Sequence, residues 1–133
     1  MSWWTRYVGI PFSPHGRGPD SYDCWGLVRA VYIEQLSKNL PAWDAYESLK
    51  DCSSIRELLG EAINSFRKVE RPCEYAIALF KSEKNVFHVG VLIDEQRMLH
   101  TAAGKDACVE NWNKLERQLN GFYVPYDQDH RQD

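Results

Sequence analysis

Between Gly9 and Asp20 the chain places three prolines and three glycines in twelve residues, and an amphipathic pattern begins directly after them. Proline and glycine at that density cannot continue a helix, so the segment is a loop that has to stop where the pattern starts. From Cys24 onward Leu27, Val28, Val31, Tyr32 and Leu36 recur at i, i+3 or i+4, while Arg29, Glu34, Gln35 and Lys38 fall mostly elsewhere. One face of the helix is committed to a core, and the rest of the chain must supply the surface it packs against.

Ser21 and Asp23 are both good N-cap residues, which puts Cys24 in the first helical turn. Unpaired backbone N–H groups and the helix dipole favour a thiolate there, and the same groups can face an oxyanion when sulfur attacks a carbonyl. Cys24 is thus a candidate nucleophile. The competing reading is a buried structural cysteine, the commoner role for a single Cys.

At 133 residues and 44% hydrophobic the chain fits one compact domain, expected to span 1–133 with a polar tail from about residue 127. The net charge is −3, with Lys and Arg dispersed among Asp and Glu, which offers no basic stripe for nucleic acid or an anionic membrane. No stretch approaches 18 apolar residues, and the N-terminus lacks a basic region followed by an apolar one. Cytoplasmic synthesis without a signal peptide and without membrane insertion is expected, so a target outside the cell membrane requires delivery. Cys24, Cys52, Cys73 and Cys108 are widely spaced and read as reduced thiols, the last three as ordinary small apolar residues.

Residues 2–8 predict a short helix capped by Ser2, with Trp3, Trp4, Tyr7 and Val8 as its apolar face. Asn39-Leu40-Pro41 stops the Cys24 helix, and a capping box from Ser54 to Glu57 opens a second one carrying Ile55, Leu58, Leu59, Ala62, Ile63 and Phe66. Beyond residue 67 the pattern becomes one of β-formers, in runs 75–80, 87–93, 98–102 and 122–126 separated by turn-like segments. An antiparallel meander follows, with a short helix over Trp112–Leu119 before the last strand.

A cysteine nucleophile needs a base and usually a third group that orients the base. Four histidines are available: His15 in the Gly/Pro loop, His130 in the tail, and His88 and His100 in neighbouring strand runs. His88 and His100 are 12 residues apart across a hairpin-sized connection, Asp94-Glu95-Gln96-Arg97. Side chains alternate along strands, so with suitable register the two imidazoles share a face and one orients the other. Zinc held by Cys24, His88, His100 and Cys108 has the ligand types but none of the usual short-spaced pairs, so no metal or cofactor is expected.

With these residues in place the chain resembles the NlpC family of papain-like cysteine peptidases of bacterial cell walls, and within it the stand-alone members encoded with phage tail genes. The resemblance rests on residues 16–28, Gly-Arg-Gly-Pro-Asp-Ser-Tyr-Asp-Cys-Trp-Gly-Leu-Val, then Leu40-Pro41, His88-Val89-Gly90-Val91 and Met98-Leu99-His100. It implies an α+β, papain-like core with the nucleophile helix packed on an antiparallel sheet and additional short helices. It also implies Cys24 as nucleophile, His88 as general base and His100 as the residue orienting it. The implied substrate is the peptidoglycan stem peptide, cut between D-glutamate and the following diamino acid, and the implied partners are phage tail tip proteins in a virion tail or at the cell wall. Phe12, Tyr22, Asp23 and Trp25, around the cysteine, are the residues expected to meet substrate.

Two positions depart from the family pattern. Many members carry Pro-Tyr 12 residues before the cysteine where this chain has Pro11-Phe12, which has no hydroxyl to donate unless Tyr7 or Tyr22 substitutes. Pro72-Cys73-Glu74 replaces the usual Pro-Gly-Asp before the sheet. Phe12 favours an alternative, a tail assembly or adaptor module that kept the fold and lost efficient chemistry. Acyl transferases of related fold place the histidine before the cysteine, and here Cys24 comes first.

Overall fold

The computed structural model describes residues 2–40, 66–83 and 87–125. Pro41, Cys52, the helix expected from Ser54 and the tail lie outside the described residues, except that Phe66, read as the end of that helix, instead begins a strand.

Helix α1, Cys24–Leu36, starts where the loop ends, because the Asp23 side chain accepts a hydrogen bond from the Gly26 N–H. It ends at Ser37, which adopts the left-handed conformation (φ 53°) while its N–H returns to the Ile33 carbonyl. The stop thus precedes Asn39-Leu40-Pro41 and uses a Schellman-type closure completed by Lys38 N–H to Tyr32 O, 3.1 Å. Leu27, Val28, Val31 and Tyr32 are the buried face, as the spacing requires. Trp3–Tyr7 is a 3₁₀ turn, and Ser2 makes no side-chain cap to it.

Six strands form one antiparallel sheet in the order β1-β6-β2-β3-β4-β5: β1 Phe66–Val69, β2 Ile77–Lys81, β3 Phe87–Leu92, β4 Arg97–Ala102, β5 Lys105–Asn111 and β6 Leu119–Pro125. The expected meander holds from β2 to β4, and β5, which was not expected, continues it. The last strand does not extend it, because β6 returns to pair with β2 and β1 on the far side. The run beginning at Tyr75 becomes regular strand only at Ile77, since Tyr75 has φ 70°, outside the β region, although its N–H donates to Leu92 O at 2.8 Å. The segment Pro72-Cys73-Glu74 closes a turn through Ala76 N–H to Cys73 O, 3.0 Å. The connection over Trp112–Gln118 is 3₁₀ rather than α-helical.

The sheet has a core on each face. Ile77, Leu79, Phe87, Val89, Val91 and Leu99 meet α1 on one side. On the other, Ala78, Phe80, Leu92, Met98 and Phe122 pack together, with Trp112 edge-on to Phe122 at 5.1 Å between centroids. The result is an α+β fold with the cysteine helix against an antiparallel sheet.

Candidate active site

The loop closes tightly on the first turn of α1. Asp23 Oδ1 accepts from Gly26 N–H at 2.6 Å and from Arg17 Nη1 at 2.7 Å. Gly16 O accepts from Asp23 N–H at 3.1 Å and from Arg17 Nη1 at 3.0 Å. A Cβ at Gly26 would lie 2.1 Å from Gly16 O, so only glycine lets the loop carbonyl approach the helix there. Ser21, the other candidate cap, shares a hydrogen bond with the Ser13 hydroxyl instead, at 2.8 Å.

This junction fixes Cys24, which is 1% exposed. Burial pushes its thiol up to about 12, and the Asp23 carboxylate adds to this, against the backbone N–H groups of Val89, Trp25 and Cys24 itself that face the sulfur. The expected helix-start thiolate is therefore a neutral thiol: the local N–H groups are present, and desolvation outweighs them.

His88 and His100 come together as the even spacing requires, Nε2 of His88 lying 2.8 Å from Nδ1 of His100. The register Val91–Leu99 and Leu92–Met98 carries the pair to one face, where the His88 ring also meets Phe80 at 6.0 Å. A Cβ at Gly90 would sit 3.0 Å from the Met98 sulfur and 3.2 Å from His100 Cβ, so the missing side chain leaves room for the second imidazole. Burial, then the neighbouring His100, lowers the His88 pKa well below the ordinary imidazole range. Burial likewise lowers that of His100, against the pull of Glu110. Both rings are neutral near pH 7.

Cys24 and His88 are not hydrogen-bonded to each other. Alternation along β3 turns Val89 towards α1 and His88 towards the opposite face, so the thiol meets the strand one residue past the imidazole.

Glu110 was not legible as a site residue. It stands on β5, and its Oε1 lies 2.7 Å from His100 Nε2 and 2.7 Å from Lys105 Nζ, with Lys114 Nζ 3.3 Å from Oε2. The Lys105 ammonium, followed by His100, lowers its carboxyl pKa to about 2. His100, Cys108 and Glu110 present ligand atoms within 4.8 Å of one another. As metal ligands they fit poorly: Glu110 is already shared by two ammonium groups, and burial followed by Glu110 raises the Cys108 pKa, keeping it a thiol. Cys24, packed with α1 in the core on the side of Val89, is not part of this group.

Of the residues expected to meet substrate, Tyr22, Asp23 and Trp25 are each 3% exposed and Phe12 is half-buried. Asp23 is engaged as the cap and with Arg17. Phe12 and Tyr22 pair backbone to backbone, and the Tyr22 ring lies over Gly18. Tyr22 lines a cavity of about 230 Å³ with Arg17, Arg29 and Glu34, a wall that includes neither Cys24 nor His88. Tyr7 donates its hydroxyl to Glu34 at 2.6 Å, ten residues and about 15 Å along α1 from Cys24. Neither tyrosine replaces the hydroxyl that Phe12 lacks. His15 is exposed in the loop.

Residues 9–120 match the model of the NlpC/P60 family. The chain belongs to the NlpC/P60 family. Among solved structures it is similar to the NlpC/p60 domain of the peptidoglycan hydrolase SagA, with 18% identity over 90% of this chain and 89% of that one, TM-score 0.62. It is also similar to a lipoprotein-like NLP/P60 protein of Staphylococcus aureus (21% identity, 89% of this chain, TM-score 0.61) and to NlpC2 of Trichomonas vaginalis (17%, 90%, TM-score 0.64). The chain spans 37% and 44% of those two. No curated protein matches it. At these identities the shared property is the papain-like α+β fold of NlpC/P60 domains.

Proposed function

We propose that this NlpC/P60 chain is a cysteine endopeptidase that cuts an amide bond in bacterial peptidoglycan stem peptides, between D-glutamate and the following diamino acid. The observation that carries the reading is the placement of Cys24, at a capped helix start, against β3, the strand that bears His88, whose ring is hydrogen-bonded to His100 on β4. The description of SagA as a peptidoglycan hydrolase supports the substrate class.

In this reading His88 takes the Sγ proton of Cys24 at Nδ1, its Nε2 being engaged with His100. The sulfur attacks the amide carbonyl, and the helix-start N–H groups that already face Sγ stabilise the oxyanion. His88 then protonates the leaving amine, and a water deprotonated by His88 hydrolyses the thioester and frees the thiol. The step requires Nδ1 of His88 and Sγ of Cys24, which meet β3 at adjacent residues, to come within hydrogen-bond reach in the substrate complex. Delivery to the wall within a phage tail is part of the proposal and rests on the motif resemblance; mass spectrometry of purified virions tests it.

Burial of Cys24 and the absence of a hydroxyl at Phe12 favour a second reading, a tail module without efficient chemistry. Incubating purified murein with wild type and with Cys24→Ala separates the two. New amino groups released by wild type alone support the peptidase, and none from either in reducing buffer supports the module.

A further inference from the structure

Glu110 reaches the imidazole pair from a third strand. In the β4–β5 register His100 opposes Cys108 and Met98 opposes Glu110, so residues 98, 100, 108 and 110 share one face. Lys105 and Lys114 hold the carboxylate from either side, at 2.7 and 3.3 Å. An ionised carboxylate only accepts hydrogen bonds. His100 must therefore place its proton on Nε2, 2.7 Å from Glu110 Oε1, and its Nδ1 is left with a lone pair. That lone pair accepts from His88 Nε2–H at 2.8 Å, which leaves His88 Nδ1 unprotonated. Direction is imposed at one end of the chain and read out at the other.

We infer that Glu110 is a positioning residue for the proposed peptidase reaction: its carboxylate fixes the tautomer of His100, and through it presents Nδ1 of His88 as the base. The inference rests on the peptidase reading for its kinetic consequence, while the tautomer assignment stands without it. Glutamine at position 110 keeps the size of the side chain but can either donate or accept, so the direction of the relay is lost.

The test combines ¹⁵N imidazole spectra of the full chain at pH 7 with cleavage of a murein stem peptide, for wild type, Glu110→Gln and Glu110→Asp. Wild type shows His88 and His100 as single Nε2–H tautomers, and Glu110→Gln shows mixed tautomers at both. The same substitution lowers kcat about tenfold or more, part of the 10²–10⁴ that a positioned general base supplies, with KM held within about twofold. Glu110→Asp keeps the charge and recovers part of the loss. Unchanged tautomers and unchanged kcat in an active, folded Glu110→Gln protein overturn the inference. A wild type that shows the fixed tautomers but cleaves nothing supports the assignment and instead overturns the peptidase reading.

Discussion

The Cys24 sulfur meets β3 at the backbone N–H of Val89, the residue next to His88, rather than at the His88 ring. Burial keeps the thiol protonated and nearly inaccessible, against the pull of that N–H, while Cys73 and Cys108 are half-buried. Iodoacetamide is expected to label Cys73 and Cys108 before Cys24. Peptide mapping by mass spectrometry reads the order; Cys24 labelled first would contradict its burial.

The site also orders the kinetic losses. In the proposed mechanism His88→Ala removes the base and is expected to lower kcat/KM by about 10²–10⁴, whereas His100→Ala removes orientation and is expected to cost less. Cys24→Ala is expected to abolish turnover while circular dichroism stays that of wild type. Equal losses for the two histidines, measured on one stem peptide, contradict the separate roles.

Stability should be flat from about pH 6.5 to 8.5 and fall on both sides. The His88 pKa is lowered by burial, so as pH drops below about 6.5 the unfolded imidazole binds a proton that the folded one refuses, and stability is lost. Glu110, lowered to about 2, adds a further loss as pH falls below about 4.5. Cys24, raised to about 12, acts in the opposite direction: above about 8.5 the unfolded thiol ionises and the folded one does not. Thermal melts across this range test the profile, and His88→Gln should weaken its acid side between pH 6.5 and 4.5 without removing it, because the His100 pKa is lowered by burial as well.

Gly26→Ala opposes two effects. Alanine is the better helix former by about 1 kcal/mol, but its methyl would lie 2.1 Å from Gly16 O and 2.9 Å from Asp23 Oδ1. Overpacking against backbone outweighs propensity, so urea unfolding should show a net loss of about 1–3 kcal/mol. A variant as stable as wild type would mean that the loop does not close on α1 in this way.

The start of α1, its buried face and the shared face of His88 and His100 were legible because each depends on local spacing, an N-cap or strand alternation. Glu110 and β5 were not. Lys105, Asp106, Glu110 and Asn111 break any apolar alternation, and the contact with His100 exists only once β4 and β5 pair. β1, with the sequence Phe-Arg-Lys-Val, is equally faint, and the return of β6 between β1 and β2 is a non-local pairing that no window reveals. The thiolate expected at Cys24 failed for the same kind of reason: the N–H groups are local, whereas the burial that opposes them comes from the sheet.

In the proposed reaction Cys24 attacks a peptidoglycan amide. Mass spectrometry of purified murein after incubation with wild type and with Cys24→Ala tests it most directly. New D-glutamyl carboxyl ends and free diamino-acid amines from wild type alone are the predicted result. Unchanged murein from both proteins, in reducing buffer across pH 5 to 8, would contradict it.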